Sequence, residues 1–203
     1  MNLTSRHDGA TPAGKDATGK FSETDFNFNW NRDLGPLNLE LGWNYYYYKY
    51  DCDLNINELY ALVTYNNDFV TPYIQANWDV DESTSLYTTF GLNREFDLTD
   101  RLTLGLDAAL GWGSTDYVRY YFNGERDDGF GGTIEDNRSS GTLTDYIGQA
   151  YLSYALTDAV SLRGTLAYSG FVDNSIRNSA VASDDLGYQD LLWYGLGVSA
   201  AFE

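Results

Sequence analysis

At 203 residues the chain has room for one barrel or one sandwich, and no shift in composition divides it into two domains. Its 18 Tyr, 10 Phe, 5 Trp and 20 Gly against 3 Pro favour strands over helices. A net charge of −18, with only 12 Lys and Arg spread along the chain, argues against a nucleic-acid partner, and the single Cys52 excludes an internal disulfide or a cysteine-rich metal site.

The chain opens on Met1 to Lys20, a polar, turn-rich stretch without the apolar segment of a signal peptide. We read residues 1–20 as a polar leader or an external loop, and residues 21–203 as one β domain. No apolar run is long enough for a transmembrane helix, a test to which β-barrels are invisible.

Nine segments then read as strands. Over 23–32, Phe26, Phe28 and Trp30 alternate with Asp25, Asn27 and Asn29; over 37–50, Leu37, Leu39, Leu41, Trp43, Tyr45 and Tyr47 alternate with Asn38, Glu40, Gly42 and Asn44. Strands over 57–66 and 70–79 meet at the turn residues Asn66, Asn67 and Asp68, and a fifth covers 84–96. The sixth is the clearest: Leu102, Leu104, Leu106, Ala108, Leu110 and Trp112 alternate with Thr103, Gly105, Asp107, Ala109 and Gly111. The last three cover 142–156, 159–170 and 190–202.

Connections alternate between short (33–36, near 67, 97–101 and 156–159) and longer (51–56, 79–83, 113–141 and 171–189). That is the pattern of an antiparallel up-and-down transmembrane β-barrel, with brief turns at one rim and larger loops at the other. The turns FDLTDRLTLGL (96–106) and YALTDAVSLRG (154–164) nearly repeat, and we read Asp100 and Asp158 as hairpin residues without a catalytic role.

Strict alternation gives each residue a face. The wet face receives Asp25, Asn27, Asn29, Glu40, Asn44, Glu58, Tyr60, Gln75, Asn77, Asn93, Glu95, Asp107, Asp145, Gln149 and Arg163. It is either a packed network filling a narrow barrel or the lining of a cation-favouring pore. On the other face Trp30, Trp43, Tyr45, Tyr47, Trp78, Trp112, Tyr168 and Tyr194 are expected to form two aromatic girdles at headgroup level. In a soluble barrel or sandwich the same rings would fill the core.

The alternating strands, Leu-Thr-Asp turns and final strand GLGVSAAF resemble bacterial outer-membrane β-barrels over essentially the whole chain. Within that class, LELGWNYYYYKYD (39–51) and NELYA (57–61) resemble strands of the TorF-like porin family. Outer-membrane barrels close on an aromatic C-terminal residue, whereas here Phe202 is followed by Glu203. Bacterial single-chain barrels have an even strand number, so nine strands lead us to expect at least one further strand, with a signal peptide, before Met1.

Enzymatic chemistry has little to build on. His7 is the only histidine and lies in the polar leader, and the pairs Asp127/Asp128 and Asp184/Asp185 sit in loops as solvated charge. Asp127, Asp128, Glu135 and Asp136 could collect a calcium ion, although their spacing is not that of an EF-hand.

These features imply no cofactor and three readings. The first is a porin-like barrel in a Gram-negative outer membrane, contacting lipid and lipopolysaccharide and passing small solutes or cations. The second is a structural or adhesive barrel with a filled lumen, whose loops 113–141 and 171–189 bind a partner. The third is a soluble barrel holding a small apolar ligand.

Overall fold

Alternation with a period of two becomes nine long strands: β1 (Glu23–Leu34), β2 (Leu37–Tyr48), β3 (Ile56–Tyr65), β4 (Thr71–Asp79), β5 (Leu86–Thr99), β6 (Leu102–Gly113), and then β9 (Thr142–Ala155), β10 (Val160–Phe171) and β11 (Asp190–Ala200). Between β6 and β9 lie a helix, α1 (Thr115–Phe122), and two three-residue strands, β7 (Glu125–Asp127) and β8 (Thr133–Glu135). The computed structural model describes residues 23–48, 55–81, 83–122, 125–127, 133–135, 140–173, 176–177 and 190–200. Phe202, Glu203 and residues 1–20 lie outside the described residues.

The long strands form one sheet in the order β1-β2-β3-β4-β5-β6-β9-β10-β11, each antiparallel to its neighbours. All four tight turns fall at one end. Gly35 supplies a φ of +67° between β1 and β2, a conformation costly for a side chain with a Cβ. The Asn67 side-chain oxygen accepts from the amides of Phe69 and Val70 at 2.9 and 3.1 Å.

In both Leu-Thr-Asp turns the threonine holds the bend. Thr99 Oγ1 accepts from the Leu102 amide at 3.0 Å, and Thr157 Oγ1 accepts from the Val160 amide at 3.0 Å. The larger connections all leave from the opposite, loop end of the sheet.

Register sorts the side chains onto two faces. Asn93, Asp107, Gln149 and Ala167 align across β5, β6, β9 and β10 on one face, while Arg94, Leu106, Ala150 and Leu166 align on the other. A flat sheet without a covering layer leaves both faces wet. Here the polar face is the sheltered one: Tyr60 is 8% exposed, Tyr151 7% and Ala167 1%, against 43% for Leu106 and 53% for Leu166 on the leucine face. The sheet therefore curls around its polar side, with the leucines outward.

Among the described residues β1 and β11 each pair on one side only, and both run from the loop end to the turn end.

Within the connection expected over 113–141, residues Thr115–Phe122 form a helix, α1. The Ser114 hydroxyl accepts from the Tyr117 amide at 3.3 Å, Asp116 sits in the first turn of α1, and Val118, at the centre of the helix, is fully buried. The serine cap and the spacing of Val118 and Phe122 were the available signals of an eight-residue helix.

Candidate functional site

By register, Asp25, Glu40, Asn44, Glu58, Gln75, Asn77, Asn93, Asp107, Gln149 and Arg163 share the sheltered face. Cross-strand bonds tie many of them to their neighbours. Asn27 donates to Asn44, whose own amide donates to Glu58 at 2.9 Å, so that β1, β2 and β3 are linked in a row. Asn29 donates to Glu40 at 3.3 Å, and along β4 Gln75 donates to Asn77 at 2.8 Å.

A second arrangement on this face escaped the sequence reading. Tyr60 stands opposite Gly42, Tyr73 opposite Gly91, and Tyr151 opposite Gly105. At each of these glycines a Cβ would overlap the ring of the facing tyrosine. The missing side chain lets the ring lie along the neighbouring strand instead of projecting into the enclosed space.

Each hydroxyl then reaches a carboxylate: Tyr60 donates to Glu40 at 2.6 Å, Tyr73 to Asp107 at 3.3 Å and Tyr151 to Glu95 at 2.5 Å. Hydrogen bonds to charged acceptors are each worth about 1.5–3 kcal/mol when buried, so these joints hold the acids in place. The signal for them was a glycine on the wet face in register with a tyrosine, legible only once strand pairing is known.

Charge on this face is one-sided. Asp33, Glu40, Glu58, Asp79, Glu95, Asp97, Asp107 and Asp145 project to it, and among the described strand residues Arg163 is the one base. Its guanidinium lies over the Tyr151 ring, 4.0 Å from the centroid.

At the loop end α1 crosses the sheltered side. The polar-face Gly113 lies beneath Tyr117 and Val118, where a Cβ would collide with the Tyr117 ring. Tyr117 packs 5.0 Å from Tyr87 of β5 and 4.6 Å from Tyr121, while Phe122 meets Phe171 of β10 edge-on at 5.6 Å. The Tyr87 hydroxyl donates to both oxygens of Asp145, at 3.0 and 2.9 Å. Burial pushes the Tyr117 phenol far above its ordinary range, and the electrostatics of Tyr87, Asp145, Tyr121 and Glu58 push it the same way.

Of the expected girdle, Tyr45, Tyr47, Trp78, Trp112 and Tyr168 lie on the leucine face near the loop end. Tyr45 stacks between Trp43 and Phe26, at 6.0 and 6.3 Å. Trp30, Trp43 and Tyr194 lie on the same leucine face, further from the loop end. Of the calcium candidates, Asp127 and Glu135 fall on β7 and β8, whereas Asp128 and Asp136, like Asp184 and Asp185, lie outside the described residues.

Comparison with known proteins places this architecture. The family described as "MltA-interacting protein MipA" matches residues 16–199. The chain belongs to the MipA family. Among solved structures, this MipA-family chain is similar to the NanC porin at 10% identity and a TM-score of 0.50, over 75% of this chain and 65% of that one. The match thus spans just under two thirds of the porin's length, and at this identity it shows the fold: an all-β, porin-like antiparallel wall. No curated protein sequence matches. The narrower likeness to TorF-like porins gains no support from these matches.

Proposed function

We propose that this MipA-family chain forms an outer-membrane barrel whose sheltered polar face lines a cation-favouring passage for small solutes. The observation that carries the reading is the charge of that face, with its row of carboxylates and the single Arg163 among the described strand residues. Acidic linings concentrate cations and repel anions within about a Debye length. The tyrosine–glycine joints support passage over plugging, because they lay bulky rings against the wall.

The leucine face supports lipid and lipopolysaccharide as its surroundings. Leu106, Leu152, Leu166 and Leu196 are 43%, 49%, 53% and 93% exposed, an apolar surface far beyond what a monomer keeps in water. A soluble barrel with an apolar ligand inside would need the opposite distribution of faces. The porin-like fold agrees with a membrane barrel.

The family's name favours a second reading, in which the barrel docks an MltA-like partner. Reconstitution into planar bilayers under a potassium chloride gradient tests the first. We expect discrete conductance with a reversal potential on the cation side, reduced when Glu95→Gln and Asp107→Asn are combined. Silent bilayers, or an anion-side reversal potential, would reject the passage. Silence together with binding of purified MltA would favour the second reading.

A further inference from the structure

We propose that the passage selects small zwitterions of the amino-acid type, held between Arg163 and Glu95. The inference rests on the passage reading above. Register sets Glu95, Gly105, Tyr151 and Thr165 in one row across β5, β6, β9 and β10, and Arg163 stands two residues from Thr165 on the same sheltered face. Tyr151 ties the two charges to one frame: its hydroxyl donates to Glu95 at 2.5 Å, and the Arg163 guanidinium lies 4.0 Å from its ring centroid.

The same frame keeps the charges apart. The cross-strand neighbours of Arg163 are Ser153 and Gly197, so no carboxylate stands opposite it, and it forms no ion pair among the described residues. Arg163 and Glu95 are both exposed, whereas Tyr151 between them is 7% exposed, its ring laid over Gly105. Stacking engages the face of a guanidinium and leaves its N–H donors free. Tyr151 in turn engages only Oε1 of Glu95. A cation and an anion thus face the enclosed space across a buried ring, each with polar atoms to spare for a solute.

A solute with a carboxylate alone meets Arg163 among a row of acids and is repelled. One with an ammonium alone gains nothing from Arg163. A zwitterion gains at both ends, its carboxylate from the guanidinium donors and its ammonium from Glu95, and its zero net charge meets no long-range repulsion.

Glycine and glycolamide are isomers, one zwitterionic and one uncharged, so the pair separates charge from size. Swelling of proteoliposomes in each solute, corrected for the leak of protein-free vesicles, reads their entry through the protein. We expect glycine to enter the wild type about two- to fivefold faster, the span of a solvent-exposed ion pair. Arg163→Gln, which keeps hydrogen-bonding capacity and removes the charge, should abolish the preference. Arg163→Lys, which keeps the charge, should retain most of it.

Heat-modifiable migration on gels reports folding of each variant. If Arg163→Gln does not fold, Glu95→Gln carries the same test, since its amide oxygen can still accept from Tyr151 while the charge is gone. Equal entry of the two solutes in the wild type, or an unchanged preference in the folded charge-removing variant, overturns this inference and leaves the passage standing. No protein-dependent entry of either solute overturns both.

Discussion

Replacing Gly105 with valine is expected to destabilise the folded barrel by about 1–3 kcal/mol through overpacking alone, because a Cβ there would overlap the Tyr151 ring. Displacing that ring also strips Glu95 of its hydroxyl donor, which adds about 1.5–3 kcal/mol for a charged acceptor. The variant should therefore lose heat-modifiable migration and unfold at lower urea concentration.

The cycle of Gly105→Val with Tyr151→Ala isolates the cause. Removing the ring makes room for the new side chain, so the double variant should be less destabilised than the sum of the single ones, with a coupling of about 0.5–3 kcal/mol. Strict additivity would show that the tyrosine–glycine joint does not constrain the wall. The result bears on function, because the joint keeps the ring flat and the Glu95 carboxylate in place.

Leu106→Arg is expected to cost about 2–4 kcal/mol, the penalty for an arginine near the bilayer midplane on the lipid face. Leu106 lies near the middle of β6, is 43% exposed and aligns with Ala150 and Leu166 on the leucine face. Asp107→Arg, one residue along, places the same side chain among carboxylates on the sheltered face and should be far milder. Refolding into lipid vesicles followed by urea titration distinguishes the two. Equal penalties would mean that the faces do not divide between lipid and water.

The division of faces was legible in the sequence because the side-chain period of a strand is two. The series from Leu102 to Trp112 sets Asp107 opposite its leucines without reference to any other strand. The alternation of short and long connections was legible for a similar reason, since Asn67, Thr99 and Thr157 are turn residues that bond the local backbone.

Features that depend on pairing were not legible. Gly42 and Tyr60 are far apart in sequence, and only the antiparallel register of β2 and β3 sets one upon the other. α1 was hidden by its length: eight residues hold about two turns of apolar periodicity, and what keeps them helical is the serine cap and the burial of Val118 against the wall.

The polar face is expected to meet water and the leucine face lipid. Cysteine accessibility tests this most directly. In a Cys52→Ser background reconstituted into vesicles, Asp107→Cys should react with a water-soluble, membrane-impermeant maleimide, whereas Leu106→Cys should not. A fluorophore attached at Leu106→Cys before refolding should be quenched by brominated acyl chains. Labelling of Leu106→Cys by the impermeant reagent, with Asp107→Cys protected, would contradict the account.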